Sequence, residues 1–595
     1  MPLCFPVWNR LRFAALAFFI VAALVYPVLV SAAPLKVPDV RRDLFLSRLM
    51  EARGFADGSD ARENAALALK SGVVPEAISD LAAPVTRQEA LRWVVCSLGL
   101  AEEARILSEL ELPFEDAKAL PELDRGCLTV ALRMRPPLLK NTPTRFGPSE
   151  KLSLDEAGAL LSLLSRASQY LKLEVTFTPA PGMELEIYRE GTFSALPKWR
   201  VYVNGFDEKS EAEVLQKYLA GQGFKTTMNN PNYEWRLTSG LLDDHGEARR
   251  LAALARERGK PVRLLPSVRN VNLENQPFYW ALLTIDPSRY ALSPITPPEG
   301  ITTLAPLSTM ARASGARAAI NAGFFSVSGR NVGFPIGTLR IGRMLVNKPY
   351  QGRTCLGWNT EQRAAFGEVA WSGKARLESG WLAIDTLNHF VKGNSVTLYN
   401  VFYGRFTPVH AQAAEVVVEN GRCVAVTLGG GTPIGPGRYV LSGYGANAAL
   451  LAGGLKPGDK VSIESVFNEG DALWSGMDNI IQAGPYLIRN GEVRIEPEGF
   501  PNSLLNLRHP RSVMGLTGKG QWVFFVGDGR DGTHSAGFTL GEVANILRMK
   551  GLTYALNLDG GGSTQLMVGG KIYNSPSEKR ERSISYAVGA KDRTQ

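Results

Sequence analysis

The sequence predicts a multidomain chain: an α-helical region, then a small α+β unit, then a large α+β domain at the C-terminus. Three observations carry that reading. Residues 38–167 keep apolar residues at helical spacing and repeat themselves imperfectly. Residues 198–268 run strand, helix, strand twice over. Residues 278–595 turn to short strands separated by Gly-containing turns, with few long helices. A chain of 595 residues also exceeds what one hydrophobic core organises, so several units are required.

The N-terminus reads as an export signal over residues 1–33. Arg10 and Arg12 precede an apolar run to Val30, and the small residues Ser31, Ala32 and Ala33 follow. That run is at the short limit for spanning a bilayer, so an uncleaved anchor is the alternative and the only route to a membrane. Cys4 lies ahead of the apolar run, out of place for lipid attachment. The expectation is a protein secreted to the bacterial cell envelope, in the periplasm or wall. The net charge of +9 comes without a dense Lys/Arg run, which excludes a nucleic-acid-binding arm and leaves a basic surface suited to anionic envelope polymers. Cys96, Cys127, Cys355 and Cys423 allow two bridges by count, but their wide spacing equally fits buried thiols.

In the helical region, "FADGSDARENAALALKSGVV" and "PVTRQEALRWVVCSLGL" are echoed by "FEDAKALPELDRGCLTVALRM" and "RFGPSEKLSLDEAGALLSLLSRA". Glu89 follows Thr86 by three residues and Glu156 follows Ser153 likewise, the spacing of a capping box. The repeat resembles the S-layer homology module, which implies a grip on anionic wall polysaccharide; a helical spacer is the alternative.

In the small unit, "WRVYVNGF" alternates as a strand and "DEKSEAEVLQKYLAGQGF" is an amphipathic helix ending at glycines. "KTTMNN" follows as a strand, and "EWRLTSGLL", "DDHGEARRLAALARERG" and "PVRLLPS" repeat the order. Through Val201, Val203, Gly205, Phe206, Ala212 and "LAGQGF" this unit resembles a SPOR domain of ferredoxin-like arrangement. The resemblance implies a sheet that binds peptidoglycan glycan strands; a spacer that binds nothing is the alternative. Trp199, Tyr202 and Trp235 would suit sugar stacking on a sheet face, against the commoner place of strand aromatics in a core.

The C-terminal domain gathers polar clusters at strand ends beside glycines: "AINAGFF" with Asn321, "RHPRS" with His509 and Arg511, "VGDGRDG" with Asp528 and Arg530, "LNLDGGGS" with Asn557, Asp559, Gly560, Gly561, Gly562 and Ser563, and "YNSPSEKRERS" with Asn574 and Arg582. "DGGGS" lacks the ending of a phosphate loop and "DGRDGTHSAG" fails the calcium-loop spacing, so nucleotide binding and an EF-hand are excluded. No nucleophile elbow with a triad can be assembled.

Taken in order, "INAGFF", "YVLSGYGANAALLAGGLKPGDKV", "AGPYLIRNGEV", "HPRSVMGL", "VGDGR", "GFTLGEVANILRMKG", "NLDGGGSTQLMV" and "NSPSEKRERSISYAV" resemble the phosphodiester glycosidase family. The resemblance implies hydrolysis of a sugar-1-phosphodiester, of N-acetylhexosamine or a similar sugar, at the bond between anomeric carbon and oxygen. It makes residues 278–595 the catalytic domain. A phosphate leaves as a stable anion, so the chemistry needs cations around it, and Arg511, Arg530 and Arg582 are the candidates. A carboxylate must serve the anomeric carbon, with Asp559 the first candidate and Asp528 the second. Asn321, Asn557, His509, Asn574, Ser563 and the three glycines are the expected substrate-binding set. No cofactor is required, and a divalent metal on Asp559 or Asp528 is compatible with the residues without being demanded by their spacing. The partners implied are the sugar phosphodiester and peptidoglycan or anionic wall polysaccharide. The competing reading is a non-catalytic glycan-binding envelope protein.

Overall fold

A nine-stranded antiparallel sheet runs through the protein, and its strand order joins parts of the chain that the sequence reading separates. In a computed structural model, which describes residues 39–54, 60–139, 144–193, 198–230, 235–242, 245–267, 275–327, 332–391 and 393–593, that order begins Met134–Arg135, Lys172–Ala180, Met183–Glu190 and Phe278–Ile285. It continues through Trp522–Gly527, Arg511–Thr517, Leu552–Asn557 and Tyr486–Arg489 to Glu492–Val493. The export signal expected at residues 1–33 lies outside the described residues. Among the described residues no helix is long and apolar enough to cross a membrane.

The boundary expected at residue 278 is corrected by strand pairing. Met183–Glu190 lies beside Phe278–Ile285 over its whole length, from Met183 opposite Ile285 to Glu190 opposite Phe278. The alternation in "MELEIYRE" buries Met183, Leu185, Ile187 and Arg189 on one face. The helical region is part of the same body. Leu46 and Val94 of its helices share one continuous core with Leu173, Ile187, Tyr279, Met514, Leu556 and Ile320. Local periodicity shows helices but not the surface they bury against, which is why the sequence reads a free-standing module there.

The helices themselves follow the sequence closely. Thr86 with Glu89 and Ser153 with Glu156 both close capping boxes, at the starts of Arg87–Ser97 and Leu154–Ala167. Each satisfies two backbone donors that would otherwise be left bare at a helix start.

The small unit is an insertion between the paired strands Met183–Glu190 and Phe278–Ile285. Its sheet has the order Thr226–Asn229, Trp235–Ser239, Lys198–Phe206, Val262–Ser267, all antiparallel, with the helices Lys209–Gly221 and His245–Glu257 packed on one side. Its core holds Trp199, Val201, Val203, Leu215, Leu251 and Ala252. Trp199 is therefore a core residue and not a stacking aromatic: its neighbours Arg200 and Tyr202 take the opposite face. The chain leaves and re-enters the large domain at one point, where the Thr192 N–H donates to the Asn275 carbonyl at 2.8 Å.

A second sheet, Lys571–Ile572, Leu566–Val568, Ala318–Asn321, Ala587–Asp592, Tyr290–Ile295, packs beside the nine-stranded one. Further hairpins fill residues 339–467, among them Val409–Glu419 with Arg422–Gly430, joined at Asn420 and Gly421 with φ of +48° and +72°. Positive φ at both turn residues is what Asn-Gly supplies. The four cysteines among the described residues are free and buried.

Candidate functional site

Leu552–Asn557 is a central strand of the large sheet, and its apolar residues Leu552, Ala555 and Leu556 are buried. It ends in a turn where each glycine has a separate reason. A Cβ on Gly560 would stand 2.7 Å from the Pro510 carbonyl oxygen. Gly561 has φ of +62°, and a Cβ there would stand 3.0 Å from Arg530 Nη2. A Cβ on Gly562 would stand 2.3 Å from Arg582 Nη2. The bare turn thus lets two guanidinium groups lie against its backbone.

Asp559 precedes this turn and is half-buried. Its N–H donates to the Ala322 carbonyl at 2.9 Å, and its Oδ1 accepts from the Gly560 N–H at 2.9 Å. Burial pushes its carboxyl up to about 6, against the pull of the Ser563 hydroxyl, the Gly560 N–H and the Arg582 charge. A carboxyl raised toward neutrality, with the Arg582 charge near it, suits proton exchange with a substrate or water.

Arg582 Nε donates to Glu578 Oε1 at 3.0 Å. Arg530 is exposed, and its Nη2 lies 3.4 Å from His509 Nδ1. Burial lowers the His509 pKa, and His509 Nε2 lies 3.0 Å from the Ser503 carbonyl. A neutral ring protonated on Nε2 donates to Ser503 and accepts from Arg530.

Other expected residues hold the turn from beneath. Asn321 is buried; its amide donates to the Asp559 carbonyl at 2.6 Å, and its Oδ1 accepts from the Ser512 hydroxyl at 2.7 Å and the Gln565 N–H at 3.1 Å. Asn557 donates to the Gly484 and Leu558 carbonyls. Arg511 is also buried and donates to the carbonyls of Phe538, Leu504 and Leu507, so its guanidinium ties a loop together from within. Burial brings it down to about 10.

Asp528, the expected second acid, faces a different environment. Its Oδ2 accepts from the Ser575 N–H at 2.6 Å and pairs with His534 Nε2 at 2.9 Å; its Oδ1 accepts from Asn574 at 2.9 Å. His534 Nδ1 reaches Glu103 Oε1 at 3.0 Å, and Glu103 pairs with Arg189 at 3.0 Å, every member being buried. Asn574 also donates to the Thr564 carbonyl. The structure therefore gathers Asp559, Arg530, Arg582, His509 and Ser563 around the glycine turn, and sets Asp528 and Asn574 in an interior charge network.

Sequence reasoning missed Glu103, Arg189 and His534. His534 stood in "DGTHSAG", read only for calcium spacing, and Glu103 lay in a repeat read as a separate module. Glu542, the remaining acid near the motif, closes a capping box with Thr539 and pairs with Arg508 at 2.6 Å. Among the described residues no group of three or more His, Cys, Asp or Glu is placed to hold a metal ion.

An acid at a strand tip, on a glycine turn that carries two arginines, sets a carboxyl and guanidinium donors together where an anionic group can be held. Residues 412–591 match the model of the phosphodiester glycosidase family, a span that takes in Asp559, Arg530, Arg582 and His509. The N-acetylglucosamine-1-phosphodiester alpha-N-acetylglucosaminidase of Mus musculus is 32% identical over 104 residues, 16% of this chain and 20% of that protein. Its Bos taurus counterpart is 27% identical over 168 residues, 27% of this chain and 31% of that protein. The chain thus matches under a third of these relatives' length. A crystal structure of a Burkholderia pseudomallei protein superposes with a TM-score of 0.52 at 23% identity, covering 71% of this chain and 96% of that one. Residues 278–595 alone are too few to supply that share, so the common fold extends into the N-terminal part.

Proposed function

We propose that the protein is a hydrolase of sugar-1-phosphodiesters, with N-acetylglucosamine or a similar N-acetylhexosamine as the sugar. The observation that supports this reading best is Asp559, pushed up to about 6 at the mouth of a turn flanked by Arg530 and Arg582. The two guanidinium groups hold the phosphate, which departs as an anion and needs no strong acid to protonate it. Asp559, once deprotonated, draws a proton from water as the water attacks the anomeric carbon. His509 holds Arg530, and Asn321 holds the Asp559 backbone. Asp528, in this reading, is a positioning residue that acts through Asn574 on the strand after the turn.

The inserted unit is the part we assign to glycan binding at the cell envelope. Its open sheet face carries Tyr202, with Arg236 at 5.7 Å over the ring and bonded to Asn204 at 2.7 Å, a polar aromatic surface suited to sugars. The helical region, whose core is shared with the large domain, is assigned a structural role in place of wall binding. Export to the envelope completes the proposal.

The test is release of free sugar from a panel of hexose and N-acetylhexosamine 1-phosphodiesters by the full chain, beside Asp559→Ala. Release by the wild type and not by the variant is expected. No release from any member sinks the enzyme reading in favour of a glycan-binding protein.

A further inference from the structure

A cationic and aromatic cluster lies beside the site on segments that touch the Asp559 strand. The Arg353 guanidinium sits 4.2 Å from the Phe500 ring centroid, 4.4 Å from that of Tyr350 and 5.7 Å from that of Phe324. Tyr350 is 52% exposed, so the cluster opens to solvent. Arg353 Nε is buried with no hydrogen-bond partner. The nearby acid, Glu498, is engaged elsewhere: its oxygens accept from the Thr354 N–H and hydroxyl at 2.8 Å and from the Tyr486 N–H at 2.9 Å. Burial lowers the Arg353 pKa, with the Glu498 charge only a small counterweight.

The cluster is held in place from within. Buried Gln482 accepts from the Tyr350 N–H at 2.7 Å and donates to the Tyr350 and Arg353 carbonyls at 2.8 Å each. Two residues further, the Gly484 N–H donates to the Asn557 carbonyl at 2.8 Å, on the strand that carries Asp559. Phe324 likewise follows by two residues Ala322, whose carbonyl holds the Asp559 N–H. On its far side Tyr350 borders a cavity of about 310 Å³, lined also by Lys348, Phe334 and His389.

We propose that Arg353, with Tyr350 and Phe500, forms a subsite for a second anionic group, a phosphate or a carboxylate, on the leaving-group side of the substrate. The inference rests on the phosphodiester-hydrolase reading and narrows its substrate class to phosphodiesters within an anionic glycan. A guanidinium flanked by rings is poorly hydrated, and its planar fork takes a phosphate or carboxylate in two parallel hydrogen bonds. The rings of Tyr350 and Phe324 offer faces on which a sugar stacks.

The test uses full-length wild type, Arg353→Ala, Arg353→Lys and Tyr350→Ala. The substrates are N-acetylglucosamine-1-phosphodiesters whose leaving phosphate is esterified to methanol, to a disaccharide bearing a further phosphate, or to a disaccharide bearing a uronic carboxylate. For at least one charged substrate, Arg353→Ala is expected to raise KM roughly tenfold with kcat kept, and Arg353→Lys to recover it only in part. The methyl substrate is expected to show no change, and Tyr350→Ala to raise KM for both disaccharides. Equal KM changes on methyl and charged substrates, or none on any, overturn the subsite. If no substrate is hydrolysed, the reaction assigned to the site is what fails. Calorimetric titration of the two charged disaccharides then decides the subsite: binding lost in Arg353→Ala upholds it, and no binding to wild type overturns it.

Discussion

Glu103 Oε1 and His534 Nδ1 meet at 3.0 Å in the interior, 431 positions apart in the chain. Burial alone would lower the imidazole pKa, but the Glu103 charge and the hydrogen bonds the ring donates to Asp528 and Glu103 raise it to about 10. Glu103 moves the other way: burial would raise it, and the His534 and Arg189 charges hold it low. The helical region is thereby fixed to the large domain by charges that have no solvent to retreat to.

Removing one partner leaves the other buried and unpaired, so Glu103→Gln should cost about 3–5 kcal/mol. The pH dependence has a definite sign. His534 is raised in the fold, so its contribution is complete below its ordinary 6.5 and is lost as pH rises to about 10. Glu103 is lowered, so its contribution is lost on acidification. Melting temperature should therefore fall above neutrality in the wild type, and His534→Asn should flatten that slope. An unchanged slope in the variant would show that the pair does not set it.

Asp559→Asn should lower kcat by about 10²–10⁴-fold. The same change should stabilise the protein at neutral pH by about 1–2 kcal/mol, because a carboxyl raised by burial is penalised when charged. In the wild type, kcat/KM should climb as pH rises through about 6, where Asp559 becomes a base. Paired rate and melting measurements check both, and a variant that keeps its activity removes Asp559 from the chemistry.

Excising residues 194–274 and bridging Phe193 to Asn275 with a short turn should leave sugar release and melting temperature nearly unchanged, since the chain ends already touch at Thr192 and Asn275. The same deletion should abolish pull-down on peptidoglycan. Residues 278–595 alone should not fold, having lost the Met183–Glu190 strand and Glu103. Circular dichroism of that fragment is the check, and a native spectrum would refute the shared core.

Gly562→Ala should displace Arg582, whose Nη2 is 2.3 Å from the new methyl position, raising KM by tenfold or more while the fold persists. Gly561→Ala should cost about 1 kcal/mol in stability, because φ of +62° is a left-handed conformation. Kinetics and thermal melts on the two variants separate the roles of the two glycines.

What was legible in the sequence was local. The capping boxes at Thr86 and Ser153, the Asn420–Gly421 hairpin and the glycine turn after Asp559 follow from neighbours within a few residues. The pairing of Met183–Glu190 with Phe278–Ile285 spans an inserted unit, and the alternation in "MELEIYRE" marks a strand without naming its partner. Asp528 and Asp559 look alike as acids beside glycine; only the fold shows one enclosed by Ser575, Asn574 and His534 and the other half-buried at a turn that carries two arginines. Arg511 is misleading for the same reason, as its exposure is decided by Leu504 and Leu507 across a loop.

The insertion also bears on how the chain reaches its fold. Lys198 and Ser267 are paired partners at the base of the inserted sheet. Once that unit has collapsed on its own core, its two ends are neighbours, and the distance along the chain between Glu190 and Phe278 shrinks in effect to two short linkers. The entropy of closing a long loop is then no longer charged to the central sheet. A unit that outwardly interrupts the domain brings its two strands together, and should speed the step in which they pair.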